Sequence, residues 1–159
     1  ATLSLLRSGT PIQLGPLAPL LRLVCLLFVG IMGREISMDL NDRIEDKHHG
    51  VWTVPVVHGP KFATRVSFAC SLAVSALAMA GPARSVLTGV LNMISASATA
   101  NAAISWAILR RFSLAMVGSL MQLRRSYQVL QVEGRDKDVV NKAVEEGLIS
   151  VVLLLASFV

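Results

Sequence analysis

The chain has 159 residues, of which 53% are hydrophobic and 16% are charged, with a formal net charge of +5. A soluble domain carries about 25% charged residues, so this composition and the mean hydropathy of +0.62 indicate one compact integral membrane domain. The basic residues flank apolar segments and aromatic residues make up only 5%, which fits the positive-inside rule, so we expect no nucleic-acid partner.

The first predicted membrane span covers residues 17–38. Its uncharged centre, residues 23–33, is shorter than the ~20 residues that a crossing needs, so the helix has to include charged residues at both ends. Arg22 then lies near one membrane interface and Arg34 near the other, where long side chains can reach water. The chain begins with Ala1 rather than Met, which we interpret as a processed product or part of a longer polypeptide.

Two further spans are predicted at residues 62–80 and 85–109. Gly81-Pro82 lies between them, and we expect this pair to end the earlier helix. Ser67, Ser71 and Ser75 recur at every fourth position, which gives a stripe of small residues suited to close helix packing.

Residues 110–130 are predicted as an interfacial amphipathic helix rather than a span. The uncharged residues 112–123 are few for a crossing and lie between two arginine pairs. A helix along the membrane surface keeps both pairs on one side, as the positive-inside rule favours. With a last span at 139–159, the prediction is an all-α integral membrane domain over residues 1–159 with about four transmembrane helices.

An acidic segment follows the first span, at residues 34–59 (REISMDLNDRIEDKHHGVWTVPVVHG), and holds half of the ten carboxylates. Asp39, Asp42 and Asp46 fall at i, i+3 and i+7, so a helix puts them on one face. Repelling carboxylates suit a hard cation such as Mg²⁺, which typically takes one or two of them together with substrate phosphates. The alternative is a solvated helix end whose charges form ordinary surface pairs.

The same segment resembles the second aspartate-rich motif of the UbiA superfamily of intramembrane prenyltransferases. The matching positions, in order, are Arg34-Glu35-Ile36, Asp39-Leu-Asn-Asp42, Asp46-Lys47, Gly50, Thr53-Val-Pro-Val56 and Gly59. The resemblance implies the C-terminal half of a UbiA-type bundle of membrane helices with a polar cavity. In that family two acidic motifs, one in each half, hold Mg²⁺ against the diphosphate of a prenyl donor.

Carried onto this chain, the resemblance implies a role for five charged residues. Asp39, Asp42 and Asp46 match the metal-binding acids, and Arg34 and Lys47 match positions expected near the diphosphate. The implied cofactor is Mg²⁺, which stabilises the leaving diphosphate while an allylic cation forms. The implied acceptor is of a quinone or lipid type, and no residue is implied as a catalytic acid, base or nucleophile.

A second group of polar residues lies in the third predicted span. Asn92, Ser95 and Thr99 fall at i, i+3 and i+7 and therefore share a helix face. They either line the implied cavity or pack against a neighbouring helix.

The family's first motif, approximately Asn-Asp-x-x-Asp-x-x-x-Asp, is absent from this chain. Asn41-Asp42 imitates its start, but His49 stands at the last acidic position. Two hypotheses follow. The chain is either part of an Mg²⁺-dependent prenyltransferase whose other half lies upstream or on another chain, or a non-catalytic accessory subunit of a photosynthetic or respiratory complex. Both imply a plastid (thylakoid) or mitochondrial inner membrane, membrane lipid, and other membrane subunits as partners.

Overall fold

The computed structural model describes residues 17–95 and 106–158, and all of the regular secondary structure in these two ranges is helical. The helices are α1 (Ala18–His48), α2 (Val54–Val57), α3 (Pro60–Ser95), α4 (Trp106–Gln131) and α5 (Lys137–Ala156). The predicted all-α fold is therefore confirmed for this part of the chain. Within it, one helix is long and apolar enough to cross a membrane, over Pro60–Leu91. A bundle of about four spans stays a prediction.

The four long helices form an antiparallel bundle. α1 and α4 each pack against α3 and α5, so α1 and α4 occupy opposite corners. The contacts give the chain directions: between α3 and α4, Lys61 meets Glu133 and Ser71 meets Gln122, so the two helices run in opposite directions.

α1 continues well beyond the predicted end of the first span at residue 38. Leu26, Gly33, Ile36 and Leu40 are buried at helical spacing, so one face of the helix packs on the bundle along most of its length. The helix ends at His48, and Gly50 then takes a positive φ of 72°, which glycine adopts without strain. The whole acidic part of the segment at 34–48 is therefore helical.

The prediction that Gly81-Pro82 ends a helix is wrong, because α3 runs through both residues to Ser95. A proline inside a helix costs roughly 3 kcal/mol, since it lacks an N–H donor and crowds the preceding turn. Packing holds this turn in place: Pro82 is buried, and the Arg22 guanidinium lies against Gly81 and 4.5 Å from the centre of the Phe158 ring. The predicted spans 62–80 and 85–109 are thus joined as far as residue 95.

The predicted interfacial helix at 110–130 is α4, and it is an integral member of the bundle. Its small buried residues Ala115, Gly118 and Ser119 allow close packing, and a Cβ at Gly118 would lie 3.0 Å from the Leu154 side chain of α5. Arg125 pairs with Glu146 of α5, so this arginine contacts protein instead of marking a free surface. The positions of the arginine pairs along the sequence do not reveal this contact between two helices.

Small polar side chains hold the interior of the bundle together. The predicted stripe of Ser67, Ser71 and Ser75 is buried. The Gln122 side-chain amide donates to Ser71 Oγ at 3.4 Å and its carbonyl accepts from Ser150 Oγ, so one side chain on α4 connects α3 and α5. The hydroxyls of Ser37 and Ser67 lie 2.8 Å apart and join α1 to α3.

The close contact between α1 and α3 makes a stability prediction. A Cβ at Gly33 would lie 2.9 Å from Cys70 Cβ, whereas a Cβ at Gly147 in α5 would meet nothing within 4 Å. We expect Gly33→Ala to destabilise the protein by about 1–3 kcal/mol through overpacking. Gly147→Ala, the matched control, should stabilise it by about 0.5–1 kcal/mol because alanine favours helix. Unfolding in detergent measures both, and equal tolerance of the two substitutions would contradict this packing.

Candidate functional site

The three predicted metal-binding aspartates lie on the C-terminal half of α1. Because Ile36 and Leu40 turn into the core, Asp39, Asp42 and Asp46 are carried onto a flank that points away from it. Asp42 is exposed, and Asp39 and Asp46 are half-buried. We call this surface the aspartate flank.

The loop after α1 is tied to the aspartate flank. Thr53 Oγ1 donates to Asp46 Oδ2 at 3.2 Å, and the backbone N–H of Val51 donates to the Asp46 carbonyl at 2.8 Å. Asn41 Nδ2 donates to Asp42 Oδ1 at 3.1 Å. Asp46 and Asp42 therefore have fixed neighbours that orient their carboxylates and leave further acceptor capacity on each.

Within the aspartate flank, Asp39 has a raised pKa. Partial burial raises the pKa of its carboxyl, and the negative charges of Asp46, Glu35 and Asp42 raise this pKa further. Ionised Asp39 is therefore less favourable in the folded chain than in water. A cation bound on this flank would relieve both the burial penalty and the repulsion.

The aspartates share a helix face but do not form a closed coordination sphere. Asp39 and Asp46 are two turns apart, about 10 Å along the helix axis. No group of three or more His, Cys, Asp or Glu side chains close enough to hold a metal ion occurs within residues 17–95 and 106–158. Their all-oxygen donor set nevertheless suits Mg²⁺, which keeps waters and often binds through one or two carboxylates and a substrate phosphate.

The two residues predicted near a diphosphate do not converge. Arg34 donates from Nη1 to Glu35 Oε1 at 3.2 Å and lines the central cavity of the bundle. Lys47 lines a separate groove beside Arg43. They are about 20 Å apart along α1 and on roughly opposite sides of it. One diphosphate held by this chain alone would not contact both.

The predicted cavity-lining residues fall at the edge of the described part of the chain. Asn92 and Ser95 belong to the last turn of α3, but their side chains lie outside what the structure describes, and Thr99 lies outside it entirely. Their role stays a prediction.

The bundle contains a central cavity of about 50 Å³ that the sequence did not indicate. All four long helices line it, with polar contributions from Arg34, Ser37, Ser67, Ser71, Gln122, Arg125 and Ser126. The buried Nε of Arg34 lacks a hydrogen-bond partner within the described ranges, and a polar cavity of this size has room for a few waters. The available signal was Gln122, the one amide in the uncharged segment 112–123.

The N-terminal half of α1 exposes an apolar stripe. Its members recur three and four residues apart and are all exposed: Leu17, Leu20, Leu21, Val24, Leu27, Phe28 and Ile31. At helical spacing this stripe continues directly into Glu35 and Asp42. One uncovered face of α1 is therefore apolar over its first half and acidic over its second.

Comparison with models of protein families, with characterised proteins and with solved structures found no match. The resemblance of residues 34–59 to the second UbiA motif therefore rests on those residues alone.

The raised pKa of Asp39 predicts a pH-dependent effect on stability. The pKa of Asp39 in the folded chain lies above its ordinary value of 3.8. The contribution of this carboxyl to stability is therefore greatest below pH 3.8, and it declines as the pH rises through the raised pKa. We expect Asp39→Asn to stabilise the chain at neutral pH by roughly 0.2–0.5 kcal/mol, the size of a like-charge pair on a helix. The gain should vanish near pH 3.

Glu45→Gln is the matched control, because it removes an exposed carboxylate of the same helix that is not one of the charges acting on Asp39. Unfolding of the three proteins in detergent, from neutral to acidic pH, measures the effect. A gain from Asp39→Asn that is unchanged at low pH would show that the charge is not its cause.

Proposed function

We propose that this chain is one half of a UbiA-type intramembrane prenyltransferase site, completed by a segment upstream or by another chain. The observation that supports the proposal best is the aspartate flank: three carboxylates of the matched motif lie on one flank of α1, and the pKa of Asp39 is raised by partial burial and by its negatively charged neighbours. Such a flank is electrostatically unfavourable until a cation and a second surface meet it. The substrate would be a prenyl diphosphate and the acceptor a quinone-type or lipid-type molecule.

Each residue of the flank has a separate task in this proposal. Each Mg²⁺ would be held by one or two of Asp39, Asp42 and Asp46 together with the diphosphate, and would stabilise the negative charge of that leaving group. Thr53 keeps Asp46 oriented through its 3.2 Å hydrogen bond, so the carboxylate is positioned before substrate arrives. The exposed apolar stripe of α1 would contact lipid tails or the second half and hold the flank at the membrane edge.

A second candidate function is that of a non-catalytic accessory subunit of a membrane complex in a plastid or mitochondrion. The separation of Arg34 and Lys47 on opposite sides of α1 favours it, because it breaks up the implied diphosphate site. The long exposed face of α1 also suits permanent burial against another membrane subunit. In this function the aspartate flank would be an interface and no metal would be needed.

One preparation tests both candidates: the chain purified from its own membrane with whatever proteins remain bound. Prenyl transfer from a radiolabelled prenyl diphosphate, measured with Mg²⁺ and with chelator, should be Mg²⁺-dependent. We expect Asp39→Asn with Asp46→Asn to lower the rate at least about 100-fold, as loss of transition-state charge stabilisation does. Glu45→Gln should leave the rate unchanged.

Activity that survives the double substitution would refute the metal role of the aspartate flank. Absence of prenyl transfer, together with stable co-purification in a large complex, would support the accessory function instead. A monodisperse chain that transfers the prenyl group without partners would count against the accessory function.

A further inference from the structure

The groove on the other flank of α1 gathers three cations. It has a volume of about 390 Å³ and is lined by Arg43, Ile44, Lys47, Pro55, Val56, Gly59, Pro60 and Arg135. Arg43 and Lys47 come from the last turns of α1, and Arg135 comes from the turn between α4 and α5, far away in sequence. We call it the basic groove.

Two of the three cations in the basic groove, Arg43 and Lys47, have no ion pair in the described part of the chain. Asp39 and Asp46 stand within one turn of Arg43, yet neither Arg43 nor Lys47 forms an ion pair within residues 17–95 and 106–158. The Nη1 of Arg43 is buried and has no hydrogen-bond partner in this part of the chain. Arg135 pairs with Glu133 at 2.9 Å, and this carboxylate is shared with Lys61 at 2.8 Å.

The fold fixes the shape of the basic groove. Gly134, with a φ of 65°, lets the α4–α5 turn close on Leu40, because a Cβ there would lie 2.5 Å from the Leu40 side chain. That contact brings Arg135 to α1. On the opposite wall, Pro55 is buried and anchors the short helix α2. The fold thus places the unpaired Arg43 and Lys47 beside Arg135, which also pairs with Glu133. Bringing these cations together is favourable when an anion lies between them.

Apolar surface surrounds the groove and indicates what kind of anion it takes. Its walls include Ile44 and Val56. Beside it the loop after α1 exposes Val51 and Trp52, the latter 84% exposed, and α2 exposes Val57. Tryptophan beside cations is typical of the level of lipid headgroups in a membrane. Basic pockets between helices at this level bind the phosphates of anionic lipids.

We propose that the basic groove binds the phosphate of an anionic phospholipid, with Arg43, Lys47 and Arg135 around the phosphate and Ile44 and Val56 against the start of the acyl chains. The site lies on a different flank of α1 from Asp39, Asp42 and Asp46. It requires that this end of the bundle lie at a membrane surface, and it does not require prenyl transfer.

The test uses the full chain in detergent and follows Trp fluorescence during titration with short-chain phosphatidylglycerol, short-chain phosphatidylcholine or inorganic phosphate. We expect saturable binding of phosphatidylglycerol that is at least about 30-fold tighter than that of phosphatidylcholine. Arg43→Gln with Lys47→Gln should abolish this preference, since two basic residues near an anionic surface account for about 30-fold. Lys47→Gln alone should lower it about 5-fold.

The matched control is Arg110→Gln with Arg124→Gln, which removes two exposed cations of α4 outside the groove and changes the net charge equally. It should keep the preference for phosphatidylglycerol. Equal losses in both double variants would overturn the proposal in favour of general charge attraction. Inorganic phosphate binding as tightly as phosphatidylglycerol would overturn the lipid as the ligand. Circular dichroism and the unfolding midpoint show that each variant is folded.

Discussion

The close contact between α1 and α3 sets the rotation of α1, and most of the functional surface depends on that rotation. Gly33 lies against Cys70, and the hydroxyls of Ser37 and Ser67 are 2.8 Å apart, so these residues must face α3. Side chains a third of a turn or more away from them then cannot enter the core. For this geometric reason the apolar stripe is exposed and the aspartate flank lies outside the core, with Asp39 and Asp46 half-buried.

The same rotation separates charges of opposite sign along one helix. Asp39, Asp42 and Asp46 lie on one flank, and Arg43 and Lys47 turn into the basic groove with Arg135. Ion pairs between these aspartates and basic residues one turn apart on α1 would neutralise both groups of charges, as exposed helical pairs do. The two proposed binding surfaces, one for a cation and one for an anion, rest on this separation of like charges. Residues that lower stability in this way are expected at functional sites.

The features that the sequence predicts correctly depend on local spacing. The helical course of residues 39–46 and the buried stripe of Ser67, Ser71 and Ser75 follow from a period of 3.6 residues. The features that it does not predict depend on contacts between distant residues. Pro82 stays within α3 because Arg22 and Phe158 pack around that turn, and Gln122 finds partners on two other helices. Arg34 and Lys47 share a motif in sequence but point to different cavities once α1 is helical.

The rotation of α1 is tested most directly by disulfide cross-linking within the bundle. In a chain with Cys25→Ser and Cys70→Ser, the pair Ser37→Cys and Ser67→Cys replaces two hydroxyls that are 2.8 Å apart. This pair should cross-link rapidly and nearly completely under mild oxidation, since the two side chains approach closely. The pair Asp39→Cys and Ser67→Cys should stay reduced. Efficient cross-linking of the second pair and not of the first would mean that the aspartates face α3, which would contradict the account.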